Sequence, residues 1–343
     1  MAAPLKNEEL KKKLKKIFTR KGTPDREEYI DVLNRVNRVL NTEDGSVRPH
    51  DSEGHTGGMI ILNYDIPSVI VPDIHARMAF VLSVMMHEIS GRSVLENLAL
   101  NTVQVICVGD GVHAEKRAAI RWVDAHNEFK NDYALHGRID EEMSESLGTM
   151  EMIMEIKCAF PENFHFLKGN HENISNEEGG GNHPFLKFSD EGAMAARYIE
   201  KFYGREFMDK YYLFEKSLPV FAVGRNFLIS HAEPEMLFNK DEIIEYRNNP
   251  QVTEGLTWTA NDASLPGSVD NMIGTYIDES LQGRSFYFGG HRPIRGSYNL
   301  RANGRYIQIH NPDKFQMALI DTGRDIDPDR DIFEIEDISG EIL

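Results

Sequence analysis

The chain predicts an α/β fold, and three observations carry that prediction. From residue 68 onward, short apolar runs alternate with helically periodic or polar stretches. Five of those runs end in loops rich in Gly, Asp and His. The longest nearly apolar stretch, 78–86, is interrupted by Ser83 and falls far short of the ~18 residues that span a bilayer. With 41% hydrophobic residues in 343, the chain has the material for one large core, so disorder as the main theme is excluded. No charged-apolar-small leader opens it, and a cytoplasmic protein is expected.

Taken in order, residues 1–50 stand apart as an N-terminal helical extension. Leu10, Leu14, Ile17 and Phe18 recur at helical spacing among lysines. After Gly22, the string Thr23-Pro24-Asp25 reads as a helix start, with Tyr29, Val32, Leu33, Val36, Val39 and Leu40 marking one apolar face. A polar connector follows over 41–58. The main domain is expected over 51–325, with strands at 68–71, 103–108, 164–167, 227–230, 286–288, 306–309 and 315–320 and helices near 77–90, 115–130, 141–158 and 190–203. Residues 326–343 form an acidic C-terminal tail or edge element.

Charge narrows the function. The chain carries 38 Lys and Arg against 55 Asp and Glu, a net −17. Residues 6–21 hold eight basic and two acidic side chains, a local +6 that leaves −23 on the remainder. Such a body repels nucleic acid backbones, so nucleic acid is not expected as the main partner. A phosphate-bearing substrate would need a local reversal of field, and bound metal ions supply one. The two cysteines, Cys107 within an apolar run and Cys158, read as reduced thiols and not as a sulfur metal site.

The chemistry sits where the strands end. The five loops read Pro72-Asp73-Ile74-His75, Gly109-Asp110-Gly111, Lys168-Gly169-Asn170-His171-Glu172, Ser230-His231-Ala232 and Gly289-Gly290-His291. Each presents a metal-ligand residue type, and sites in α/β sheets gather at the carboxyl ends of strands. Asp73 and His75, two apart on an extended segment, share a side. Singly, Asp110 reads as a turn residue and His231 or His291 as a structural histidine. Their order and strand context together favour a metal site.

These blocks resemble those of the calcineurin-like metallophosphoesterases, within them the serine/threonine protein phosphatase branch: D-x-H-G, G-D, G-N-H-E, H-G-G and a late G-H, in that order. Leu256-Thr257-Trp258-Thr259 is similar to that branch's L-x-W-S segment. The likeness spans residues 68–321, about three quarters of the chain. It implies a two-sheet β-sandwich flanked by helices and two divalent cations, manganese first and iron or zinc as alternatives. Asp73 and His75 would hold one ion, Asp110 would bridge, and Asn170, His231 and His291 would complete the other. His171 would be the general acid for phosphomonoester hydrolysis by a dimetal-bound hydroxide.

The departures are as informative. The last glycine of D-x-H-G is Ala76, and the glycines of H-G-G are Ala232 and Glu233, which places an extra carboxylate near the expected metals. Where the branch reads G-D-x-x-D-R-G, this chain has His113 and Ala114, so the family's phosphate-gripping arginine is missing. Arg117, one helical turn beyond, is the favoured substitute, with Arg77, Arg292 and Lys168 as alternatives. His113 is expected to support His171 or to meet substrate. The 59 positions between Asp110 and Gly169 include an acidic helical stretch, 140–156, expected to overhang the site. The glycine run in 176–183 is a candidate lid.

A protein-phosphatase-like enzyme acting on a phosphoprotein or a small phosphoester is therefore the leading expectation. A nucleotide or dinucleotide polyphosphate hydrolase built on the same centre and a phosphate-binding pseudo-phosphatase scaffold are the alternatives. Nothing in the sequence indicates oligomeric state.

Overall fold

Along the strands, successive side chains enter two different apolar environments, and this alternation builds the architecture. In the computed structural model, which describes residues 3–342, Ile70 and Ile106 point into one hydrophobic cluster while Val69, Val71, Val105 and Cys107 belong to another. Both faces of these strands are buried, as expected for parallel strands covered on each side. One sheet has five strands in the order Ile332–Glu334, Gln316–Ile320, Ser68–Val71, Gln104–Cys107, Phe164–Phe166. The other has six, in the order Met59–Ile61, Phe221–Val223, Phe227–Ser230, Phe286–Gly289, Tyr306–Gln308, Asn299–Arg301.

The sheets face each other across Ile60, Ile70, Ile106, Ala222, Ile229, Phe288, Ile307 and Ala318. Helices cover the outer faces, so the expected two-sheet sandwich flanked by helices is what forms. Ser68–Val71, Gln104–Cys107 and Phe164–Phe166 run parallel, as do Phe227–Ser230, Phe286–Gly289 and Tyr306–Gln308. Their carboxyl ends therefore open toward shared edges.

All seven sequence-predicted strands are present to within a residue or two at each end. Met59–Ile61, Phe221–Val223, Asn299–Arg301 and the paired Glu88–Ile89 and Arg92–Ser93 were not expected as strands; each is two or three residues long, below the length at which alternation is readable. The acidic C-terminal segment supplies the edge strand Ile332–Glu334, antiparallel to Gln316–Ile320.

The helix Gly137–Ala159 corrects an expectation. It does not overhang the site: residues 146–157 are all buried, and it packs against helices Ala3–Phe18, Arg26–Asn41, Met78–Met86 and Ala119–Lys130. A helix buried around its whole circumference belongs in a core, and its polar side chains there need partners. Its carboxylates are matched from outside, Glu151 by Arg20 at 2.7 Å and Glu155 by Lys13 at 2.6 Å and by Arg35. Asp25 caps the second N-terminal helix by accepting from the N–H groups of Glu27 and Glu28. The connector after it is fastened by Arg48, fully buried, which donates to Glu43 at 2.7 Å and to the carbonyls of Gly57 and Ser217, both at 2.6 Å.

Candidate metal centre

The loops that leave the parallel strands are laced to one another by main-chain hydrogen bonds. Ile74 and His75 donate their N–H groups to the Asp110 carbonyl at 3.1 and 2.7 Å, and Ala76 donates to Gly111 at 2.8 Å. Glu172 accepts from the N–H groups of Asp110, Gly111 and Gly169 at 2.9, 2.8 and 2.6 Å, which binds the second loop to the third. In the six-stranded sheet, Gly290 donates to the His231 carbonyl at 2.8 Å, joining the loops that leave two neighbouring strands. His75, Ala76, Asp110, His113 and His291 all adopt positive φ between 47° and 68°, a cluster of left-handed non-glycine residues of the kind found where function demands a fixed geometry. Two glycines are required by close approach. A Cβ on Gly290 would lie 1.7 Å from Asp73 Oδ1, and one on Gly169 would lie 2.2 Å from Asp110 Oδ1.

This lacing brings all six expected ligand residues together. His75 Nε2 lies 3.9 Å from Asp73 Oδ2 and 3.5 Å from Asp110 Oδ2. His231 Nε2 lies 3.3 Å from Asp110 Oδ2 and 2.9 Å from Asn170 Oδ1, and His291 Nδ1 lies 2.9 Å from the same amide oxygen. The other ring nitrogens of two histidines are occupied by carbonyls: His75 Nδ1 donates to His113 at 3.0 Å and His231 Nδ1 to Val108 at 3.2 Å. A carbonyl only accepts, so these bonds place a proton on each Nδ1 and turn Nε2 toward the carboxylates, the arrangement that orients metal-ligating imidazoles. The carboxylates are aimed too, since His171 N–H donates to Asp110 Oδ1 and His291 N–H to Asp73 Oδ2, both at 2.9 Å.

Asp73 and Asp110 are buried, and among the described residues no Lys or Arg side chain lies within ion-pair distance of either. Two buried carboxylates with only imidazoles and main-chain N–H groups for company form a site where a cation would offset the cost of burial. Burial alone would raise the Asp110 carboxyl, yet His231 and His171 hold it well below the usual carboxylate range; reciprocally, Asp110 and Asp73 overcome burial to push His231 up to about 9. Asp73 Oδ1 and His291 Nε2 are buried without hydrogen-bond partners. The oxygen and nitrogen donors fit manganese, iron or zinc.

His171 stands beside this cluster, its Nε2 3.8 Å from Asp110 Oδ2. His113 stacks on it with ring centroids 4.6 Å apart and planes at 17°, and Phe185, 4.9 Å from His171 and 5.3 Å from His113, packs beside both rings. Burial holds the His171 imidazole well below its ordinary pKa, and His113 and His75 add to that against the pull of Asp110. His113 is buried against Trp122, Phe185 and Phe188, with Glu191 3.8 Å from its Nε2. The segment 176–183 is fixed at several points: Asn173 Nδ2 donates to the carbonyls of Glu177 and His183, and His183 packs edge-on to Trp258. Its continuation carries Phe185 onto the two histidines. Leu256 accepts from the Ala232 N–H at 2.8 Å, so the Leu256–Thr259 segment backs the His231 loop.

The arginines differ sharply from one another. Arg77 is buried over the Phe80 ring and donates to the carbonyls of Asp73, Ile74 and Lys314 at 2.7, 3.0 and 2.9 Å. Arg117 donates to Ala76 and pairs with Glu145 at 2.7 Å, and together with His75, Arg77, Glu115, Lys116, Pro312 and Asp313 it lines a cavity of about 220 Å³. Arg292 is exposed. Lys168 is buried and held by the Glu172 carbonyl. Glu233, the unexpected carboxylate of the fourth loop, is paired with Arg301 at 3.0 Å.

Three residues at the site were not expected: His310, Glu115 and Phe185. His310 directly follows the strand Tyr306–Gln308 and Ile309, so the strand-end rule that selected the other loops would have found it.

Comparison with solved structures agrees with this architecture. A protein serine/threonine phosphatase from Saccharomyces cerevisiae, described as similar to human phosphatase PP5, superposes with a TM-score of 0.57 at 13% identity, covering 91% of this chain and 90% of that one. The chain shares the fold of that phosphatase. A cold-active protein tyrosine phosphatase matches with a TM-score of 0.45 at 13% identity, over 81% of this chain and 80% of that one. The cold-active tyrosine phosphatase of a psychrophilic Shewanella species gives 0.44 at 12%, over 81% and 82%. No family model matches the chain, and no curated protein does. No helix among the described residues is long and apolar enough to cross a membrane.

Proposed function

We propose that the protein is a metal-dependent phosphoesterase of the protein-phosphatase kind, hydrolysing phosphomonoesters. The observation that carries this is the convergence of six ligand-type side chains from five separate loops, two of them buried carboxylates that lack any Lys or Arg partner among the described residues. Asp73, His75 and Asp110 would hold one divalent cation, and Asp110, Asn170, His231 and His291 a second. When bound, such cations polarise a phosphoryl oxygen and acidify a water molecule.

The chain's own groups supply the remainder. His171 would enter this step as the imidazolium, with the pull of Asp110 opposing the effect of burial, and would deliver its Nε2 proton, on the side of the ring that faces Asp110, to the leaving alkoxide as the P–O bond breaks. His113, stacked on one face, and Phe185, tilted beside both rings, keep that ring in one orientation, in place of the carboxylate that the protein phosphatases use. Arg117, at the mouth of the cavity beside His75, meets the phosphate, with Arg292 as the exposed alternative. Arg77 acts by holding the carbonyl of Asp73, which sets that carboxylate's position.

Metal content of the purified protein, measured beside aryl phosphate hydrolysis with and without added manganese, tests the reading. Two ions and turnover support it. Metal without turnover points to a phosphate-binding scaffold, and a strong preference for dinucleotide polyphosphates over phosphopeptides points to a nucleotide hydrolase. Absence of bound metal overturns all three.

A further inference from the structure

We propose that His310 is an additional ligand at the first metal position, beside Asp73 and His75, and that Glu115 is the carboxylate that orients it. This rests on the metal-dependent reading above and extends its ligand set to a residue outside the five loops that the sequence motifs mark. His310 is fully buried and sits two residues past the strand Tyr306–Gln308. Its ring lies 5.1 Å from that of His75, and its Nδ1 is 3.8 Å from Asp73 Oδ2. Ligand atoms of Asp73, His75 and His310 all fall within 4.8 Å of one another.

The tautomer follows from the hydrogen bond on the far side of the ring. His310 Nε2 lies 2.9 Å from Glu115 Oε2, and an ionised carboxylate can only accept. The proton is therefore on Nε2, and the Nδ1 lone pair is directed toward Asp73. That nitrogen is buried and has no hydrogen-bond partner among the described residues, as is also true of Asp73 Oδ1. A buried acceptor nitrogen and a buried carboxylate oxygen cannot satisfy each other, because neither carries a proton; a cation between them satisfies both. Glu115 is itself held by Lys187, so the carboxylate, the imidazole and the open lone pair form a fixed series of the type that supports metal-ligating histidines.

With His310 included, the two positions have matched donor sets sharing Asp110: Asp73, His75, Asp110 and His310 on one side, and Asp110, Asn170, His231 and His291 on the other. Each offers two nitrogen and two oxygen ligands, which suits borderline cations and not magnesium or calcium.

The test is metal binding by the full chain, read by elemental analysis, by calorimetric titration with Mn²⁺ or Zn²⁺, and by the exchange-coupled electron paramagnetic resonance signal of a manganese pair. Wild type should bind two ions. His310→Ala should keep one and lose or weaken the other by more than about 100-fold, exceeding the 10–100-fold that removing an orienting partner typically costs. Glu115→Gln should retain both ions with one weakened about 10–100-fold. His310→Gln, which keeps most of the side-chain volume, serves if the alanine variant does not fold. Two ions bound with unchanged affinity in a folded His310 variant would overturn the assignment while leaving the metal-dependent reading intact. A wild-type protein that binds no metal would overturn both.

Discussion

Asp110 is the side chain that every half of the centre touches. It lies near His75, His171 and His231 while its own N–H is tied to Glu172. Asp110→Asn keeps an acceptor for the His171 N–H but removes the negative charge that two neighbouring cations need between them. Metal occupancy should fall and turnover should nearly vanish; normal stoichiometry with a near-normal rate would refute the bridging role. His171→Asn should behave differently. Metals stay, and the rate falls about 10²–10⁴-fold for alkyl phosphates, the usual worth of general acid catalysis, with a smaller loss for nitrophenyl phosphate, whose leaving group needs no proton. Equal losses on both substrates would remove His171 from that role. For Arg117→Ala, losing one ionic donor of about 1.5–3 kcal/mol should lower kcat/KM and weaken inhibition by phosphate roughly 10–100-fold. Unchanged phosphate affinity would transfer the role to Arg292. Residue identity made the six ligand positions legible because each follows a readable strand. The use of Arg77 was not legible, since the carbonyls that surround it come from Asp73, Ile74 and Lys314, more than two hundred positions apart at the extremes.

Among the elements, the connector between the second N-terminal helix and the first strand shows how a polar segment becomes a structural joint. Glu43 is buried between Arg48, at 2.7 Å, and Lys157, at 2.5 Å. Burial penalises its carboxylate, but Lys157, Arg48 and His165 draw it down to about 2. An unfolded glutamate titrates near ~4.3. Because the folded value is the lower one, the contribution of Glu43 is complete above pH ~4.3 and is lost as pH falls toward 2. Glu43→Gln should destabilise the protein by about 3–5 kcal/mol at neutral pH, since it leaves Arg48 and Lys157 buried without their carboxylate. Its stability should then fall less steeply between pH 4.3 and 2. Urea unfolding at pH 7, 4 and 3 checks this, and an acid limb parallel to that of wild type would show that Glu43 is not the group titrating. Composition marked this stretch as polar, but Lys157, the second cationic partner of Glu43, lies on a helix more than a hundred residues away.

For the whole molecule, the N-terminal helix decides how far the catalytic unit extends. No ligand-type residue of the centre lies in residues 1–21, yet Leu10, Leu14 and Ile17 are buried in the same cluster as Val69 and Val105. Burial of such a side chain is worth roughly 1.5–3 kcal/mol. Deleting residues 1–21 should therefore lower stability by several kcal/mol, seen as a drop in the thermal midpoint. Metal content and aryl phosphate turnover of the folded fraction should stay within about twofold. Loss of metal from a truncated protein that remains folded would mean that the helix helps to form the site; an unchanged midpoint would mean that its burial contributes little.

The sequence by itself determined the α/β class, seven of the strands and the residues at five of their ends. Those features depend on local periodicity and on side chains whose chemistry is fixed by their type. Only the tertiary structure decided that Gly137–Ala159 is a core helix, that Arg77 donates to main-chain carbonyls, and that His113 stacks on His171. It also decided that His310 stands against Asp73 across 237 positions of chain. Each of these depends on which backbone arrives beside a side chain once the two sheets close, and no local pattern encodes that distance.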